Sequence, residues 1–169
     1  LQIVSEKAEG TTAVYKNIEF NLPLTGRHMV YNAVTAIEAV KSLERLGVSV
    51  DDDSIIKGIA SSAMPARIEI LRTHPLIVLD GGHNEEGVTA AVQTVKCRFG
   101  KKRINVISGV LRDKDYKKIS SEISSVAQRV YTVTPNNPRA LSAEEYAAEF
   151  TDRGIDATAY KSYETAVKD

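Results

Sequence analysis

The chain has 169 residues, enough for one good core with appendages and hardly enough for two full domains. Twenty-two Lys and Arg balance 22 Asp and Glu, so the net charge is zero and no whole-protein field draws the chain to nucleic acid or a membrane surface. Apolar residues at 43% and charged residues at 26% are an ordinary globular mix; no apolar run reaches the roughly 18 residues of a membrane span, and the single Cys97 excludes an internal disulfide framework.

Residues 1–24 read as β. Segments 11–15 and 18–22 flank Lys16-Asn17, the pattern of a hairpin. A hairpin alone buries too little to be stable, so this one is expected to pack on something outside the chain. Residues 27–46 carry Val30, Val34, Ile37, Val40 and Leu43 at helical spacing, and Gly47 stops them. A short helix follows at 54–60, its start favoured by Asp51, Asp52 and Asp53, and Pro65 breaks the helical run.

From residue 68 strands and helices alternate. Strands are predicted at 68–71 and 76–79, a helix at 85–98, a strand at 104–108, a helix at 115–127 and a strand at 130–133. A helix then starts at Ser142 with Glu145 as its capping-box partner and runs to Phe150. A strand near 157–159 and the start of a helix at Tyr163 complete the pattern. The expected fold is α/β: a Rossmann-like, mostly parallel sheet with helices on both faces, preceded by a β hairpin and linker helices. Cys97 is expected as a small buried side chain, in keeping with a reducing, cytoplasmic setting. The start lacks an initiator Met and a signal-peptide pattern, and the end falls inside a helical pattern, so a piece of a longer protein is expected.

Asp80-Gly81-Gly82-His83-Asn84 lies between a strand and a helix start, where open α/β sheets bind ligands. Asp80 can accept hydrogen bonds from sugar hydroxyls, or cap a helix. His83 and Asn84 can donate to anions, although His83 also fits a solvated loop. His28 and Asn32 share one helix face, and an Asn amide suits an adenine edge; a polar stripe on an amphipathic helix has the same spacing. Arg67 can clamp phosphate with its fork, or pair with Glu69 or Asp53 on the surface. Two further strand ends, before Gly109 and before Pro135, are expected on the same rim as Asp80, with Asp113 capping the next helix. No glycine-rich phosphate loop, no cluster with metal-ligand spacing and no nucleophile elbow is present in the sequence.

Four motifs occur together and in order: Gly26-Arg27-His28-Met29-Val30-Tyr31-Asn32-Ala33, Pro65-Ala66-Arg67-Ile68-Glu69, Asp80-Gly81-Gly82-His83-Asn84 and Asp113-Lys114-Asp115. The set resembles the carboxy-terminal part of folylpolyglutamate synthase/dihydrofolate synthase, within the Mur ligase superfamily. Met29 stands where that family has Gln, Ala66 where it has Gly, Gly82 where it has Ala, and Glu85 where it has Pro. The resemblance implies that residues 1–64 end an ATPase domain and that 65–169 form a truncated Rossmann-like ligase domain. It implies an ATP-dependent ligase that adds L-glutamate to folates, with dihydropteroate a further candidate acceptor, through an acyl phosphate. Asn32, Arg67 and Asp80 would contact ATP, His83 and Arg67 would act in catalysis, and His83 and Asn84 would hold substrate. Magnesium, its ligands and the phosphate loop would belong to an amino-terminal ATPase domain in cis, and the 169 residues alone would be inactive. Two other readings are another amide ligase of the superfamily, of cell-wall or cyanophycin type, and a non-catalytic Rossmann-like binding module.

Overall fold

Three antiparallel strands open the chain: β1 (Gln2–Lys7), β2 (Gly10–Tyr15) and β3 (Ile18–Leu22). The structure is a computed structural model describing residues 1–7, 10–100 and 104–169. Two compact units divide it, Leu1–Gly81 and Gly82–Asp169. In the first, the β2–β3 hairpin runs in unbroken register from Thr11 opposite Leu22 to Tyr15 opposite Ile18, and Lys16 turns the chain at φ 54°. Period-two alternation puts Ala13, Ile18, Phe20 and Leu22 on the buried face.

The hairpin finds its packing partners within the chain. Helices α1 (Arg27–Ser42) and α2 (Asp52–Ala60) cover it with Met29, Val30, Ala33, Ile37, Ile55 and Ile59, so the expected external partner is not needed for this core. The helical stretch predicted at 27–46 changes character near its end. It is α-helical to Ser42 and then makes one 3₁₀ turn, Leu43–Leu46, closed by Gly47 at φ 81°. Asp51 caps α2 by accepting from the Ser54 N–H at 2.7 Å. Strands β4 (Glu69–Thr73) and β5 (Leu76–Leu79) then pair antiparallel with each other. Among the described residues β5 pairs with β4 and not with the parallel sheet. An apolar run identifies a strand but not its neighbour, which is why the sequence placed 76–79 in that sheet.

The second unit contains α3 (Glu85–Phe99), β6 (Ile104–Ser108), α4 (Tyr116–Ser124), β7 (Ala127–Val133), α5 (Ala143–Thr151), β8 (Asp156–Tyr160) and α6 (Tyr163–Lys168). Its sheet is parallel in the order β6-β7-β8, with α4 and α5 as the crossovers. Central β7 has Val130, Tyr131 and Thr132 buried in succession, as a strand covered on both faces requires. The Thr132 hydroxyl is satisfied by donating to the Ala143 carbonyl at 2.7 Å. Val88 and Val92 of α3, Ile119 and Ile123 of α4, and Tyr146 and Phe150 of α5 share one core with Val130. The α5 capping box forms between Ser142 and Glu145 as the sequence predicts. Cys97 is exposed, contrary to expectation. It lies half a turn around α3 from buried Val88, on the solvent side. Among the described residues no helix is long and apolar enough to cross a membrane.

Candidate functional site

In the first unit Pro65 ends the approach to β4 and forces a turn, within which Ala66 and Ile68 adopt left-handed backbone at φ 57° and 47°. Such angles are uncommon outside glycine and strained for a β-branched residue, so the surroundings must hold them. Three hydrogen bonds do so. The Glu69 carboxylate accepts from the Ala66 N–H at 2.8 Å. The Asp80 carboxylate accepts from the Ile68 N–H at 3.0 Å. The Gly81 N–H donates to the Ala66 carbonyl at 2.7 Å. Ile68 is buried, and its neighbour Arg67 is left at the half-buried lip of the turn.

Arg67 and Asp80 therefore share one small structure. A β-carbon on Gly81 would sit 3.4 Å from Arg67 Nη1 and 3.2 Å from the Ala66 carbonyl oxygen, so the guanidinium runs close over the Gly81 backbone. His28 lies half-buried in the first turn of α1. Burial pushes its imidazole below the ordinary range; the Asp80 carboxylate raises it and the Arg67 guanidinium lowers it further. His28 received no role of its own from the sequence. The signal was its place one turn before Asn32 on the same helix face.

Asn32 is exposed, and its amide donates to the Met29 sulfur at 4.0 Å. It stands at the edge of an apolar cavity of about 390 Å³ between β3, α1 and α2, walled by Leu22, Met29, Ile37, Ile55, Ile59 and Met64. A second cavity of about 400 Å³ is lined by Leu24, Thr25, Met64, Arg67, Ile68 and Glu69. Leu24, Ser62 and Met64 line both, so the apolar space beside Asn32 adjoins the space beside Arg67.

His83 and Asn84 open the second unit. Asn84 is the N-cap of α3, its side chain accepting from the Gly87 N–H at 2.9 Å. The Asn84 amide nitrogen remains directed away from that bond, because only the oxygen caps. Lys118 pairs with Glu85, which ties the first turns of α3 and α4 together. The residues preceding those helices, His83-Asn84 and Lys114-Asp115, thus emerge at one end of the helix pair.

Two loops build the carboxyl rim of the parallel sheet. Arg112 N–H donates to the Arg139 carbonyl at 2.8 Å, Leu141 N–H donates to the Val110 carbonyl at 3.0 Å, and Leu111 bridges Ala140. The approach is so close that a β-carbon on Gly109 would meet the Val133 carbonyl at 2.7 Å. Asp115, not Asp113, caps α4, accepting from the Lys118 N–H at 3.0 Å. Asp113 instead accepts from Arg139 at 2.7 Å, and Arg112 forks onto Glu145 at 3.2 and 2.6 Å. Both acids flanking Lys114 are engaged, and Lys114, a half-buried residue, has no ion-pair partner among the described residues. The sequence named the Asp-Lys-Asp turn but gave Lys114 no role; two acids beside one lysine hide which of the three is spare.

Residues 66–169 match the Mur ligase, glutamate ligase domain family. The chain belongs to this family. It is 33% identical over 123 residues to the dihydrofolate synthase/folylpolyglutamate synthase of Bacillus subtilis, covering 72% of this chain and 29% of that protein. It is 34% identical over 132 residues to the folylpolyglutamate synthase of Lacticaseibacillus casei, covering 77% of this chain and 31% of that protein. The fold superposes with a TM-score of 0.85 and 28% identity on the folylpolyglutamate synthase of Mycobacterium tuberculosis complexed with ADP and AMPPCP, over 99% of this chain and 39% of that one. The chain thus spans about a third of the length of the curated glutamate ligases it matches.

Among the described residues no group of three or more His, Cys, Asp or Glu could hold a metal ion. The residues present do not fit a magnesium site, and no step below depends on one. The cavity at Asn32 is an apolar slot, and the one adjoining it carries the Arg67 cation on its lining.

Proposed function

We propose that this chain supplies the nucleotide-side and amine-side residues of an ATP-dependent ligase that adds L-glutamate to folates, with dihydropteroate as a further acceptor. The observation that carries the reading is the turn holding Arg67 beside Asp80, next to an apolar cavity edged by Asn32. In this reading Asn32 reads the adenine edge, Asp80 accepts from ribose hydroxyls, and Arg67 meets the phosphates. The transferred phosphoryl group converts the folate carboxylate to an acyl phosphate. The amine of glutamate then attacks the acyl carbon, and phosphate leaves. Arg67 lowers the barrier because a fixed cation meets charge as it develops on the transferring group. His83 and the Asn84 amide bind the incoming glutamate or position the acyl phosphate, and Lys114 offers its ammonium to a glutamate carboxylate.

The metal and the glycine-rich phosphate loop belong, in this proposal, to an ATPase domain in cis whose last part is residues 1–64, with 65–169 the ligase domain. The reaction is placed in the cytoplasm, and the 169 residues alone are expected to form no glutamyl product. The direct test is calorimetric titration with ADP. Wild type is expected to bind and Asn32→Ala to bind at least fivefold more weakly; equal binding by both removes Asn32 from the adenine site. In the complete ligase His83→Ala is expected to act mainly by raising the KM for glutamate.

A further inference from the structure

The apolar slot of about 390 Å³ between β3, α1 and α2 has three hydrogen-bonding side chains on its lining, Asn32, Ser54 and Ser62. Each has its donor group engaged by the protein itself. The Ser54 hydroxyl donates to the Asp51 carboxylate at 3.0 Å, and the Ser62 hydroxyl donates to the Ile59 carbonyl at 2.7 Å. A hydroxyl has a single hydrogen, so neither serine can donate again. The Asn32 amide nitrogen is drawn to the Met29 sulfur at 4.0 Å. A thioether accepts and never donates, so Met29 can hold the nitrogen of that amide and not its oxygen. Met29 is buried and lines the slot beside Asn32, which fixes the anchor in place.

We propose that Met29 is a specificity-determining residue of this slot: with the Asn32 nitrogen anchored on its sulfur, the Asn32 carbonyl oxygen is the end presented to a ring, and the slot takes a purine bearing an exocyclic amine while rejecting one bearing an exocyclic carbonyl at the same place. This rests on the reading of the slot as the purine site and deepens it. The discrimination is one of unmatched groups. An amine placed against the Asn32 oxygen donates to it. A carbonyl there sets two acceptors against each other, and neither serine can donate in compensation, so the carbonyl gives up water with nothing in return. A site gains more selectivity from such an unmatched group than from one methylene of apolar contact. A glutamine at position 29 has no such bias, since its amide can hold either end of Asn32.

The test is calorimetric titration of the chain with ADP and with inosine diphosphate, which differ at that exocyclic group and at the ring nitrogen beside it. Wild type is expected to bind ADP at least about tenfold more tightly, the effect of one unmatched polar group. Met29→Leu removes the sulfur and keeps the apolar volume, so its melting temperature is expected to stay close to that of wild type. Its preference for ADP is expected to fall below about threefold, because Asn32 can then turn either end to the ring. Met29→Gln is expected to lose the preference in the same way, and it carries the test should the leucine variant fold poorly. If wild type discriminates and the folded variants keep that preference, Met29 is overturned as the determinant and the purine reading stands. If wild type binds the two nucleotides equally, the proposal falls while a purine site remains. If wild type binds neither, the proposal and the reading it rests on fall together.

Discussion

Between Pro65 and Glu69 the backbone passes through two left-handed non-glycine residues, Ala66 and Ile68, whereas the loops after β6 and β7 contain none. The first turn is held mainly by side chains reaching to backbone, Glu69 to Ala66 and Asp80 to Ile68, with one backbone bond from Gly81 to Ala66. The rim loops are held mainly by backbone reaching to backbone, through the Leu111–Ala140 bridge and its two flanking bonds, with ion pairs outside. Strain is thus concentrated in the turn that carries Arg67, and the rim that carries Lys114 has no left-handed non-glycine residue. The two regions also differ in what a mutation can reach. A single carboxylate supports the strained turn at each end, while the rim rests on a dozen buried side chains beneath it.

The largest effect that would sharpen this contrast is in the core under the rim. Phe150 is fully buried and meets Tyr146 edge-on at 5.0 Å. Phe150→Ala is expected to cost about 3–5 kcal/mol in guanidinium unfolding; a loss below about 1 kcal/mol would mean the core does not support the rim. In the complete ligase, Arg67→Ala is expected to lower kcat/KM by roughly two to three decades, the effect of losing one preorganised charge contact. A change under threefold would return Arg67 to the surface pairings its sequence context also allows.

Asn84 separates capping from binding. Asn84→Ala should destabilise the second unit by about 1 kcal/mol through loss of the α3 cap. Asn84→Asp keeps the cap oxygen and should leave stability in place while raising the KM for glutamate. Unchanged KM would reduce Asn84 to a cap. Ala66→Gly tests the strain directly, with an expected stabilisation of about 1 kcal/mol from relieving the left-handed angle; no gain would show the turn to be comfortable with a β-carbon.

The smallest effect is at the rim. The Arg112 guanidinium, then the Ser142 hydroxyl, hold the exposed Glu145 carboxyl down at about 2. A depressed carboxyl contributes stability that is complete above its ordinary range and is lost as the pH falls through its folded value. Acid unfolding of wild type should therefore show a slight extra loss between about pH 4.5 and 2 that Arg112→Gln lacks.

Much of the fold was legible in the sequence because it follows local rules. The Lys16-Asn17 turn, the acidic start of α2 and the Ser142–Glu145 capping box each depend on residues a few positions apart. Cys97 was misread although the signal was present: Val88 and Val92 define the buried stripe of α3, and position 97 falls opposite it. What escaped depends on distant partners. Whether Asp113 or Asp115 caps α4 is decided by Arg139, 26 residues away from Asp113. The partner of β5 depends on strand pairing, which an apolar run does not encode. Of the site, Arg67 and Asp80 were legible as polar residues flanking strands. Their joining through Ile68 was not, since nothing local marks an isoleucine for a left-handed angle.

The bridge between Leu111 and Ala140 has a consequence for how these two loops can change. Two loops that share main-chain bonds cannot change length independently, because an insertion in one pulls its partner out of register. Gly109, pressed against the Val133 carbonyl, removes the remaining slack. Change on this ledge is then channelled into exchange of single side chains, and Lys114, which makes no ion pair among the described residues, is a position where such an exchange breaks none.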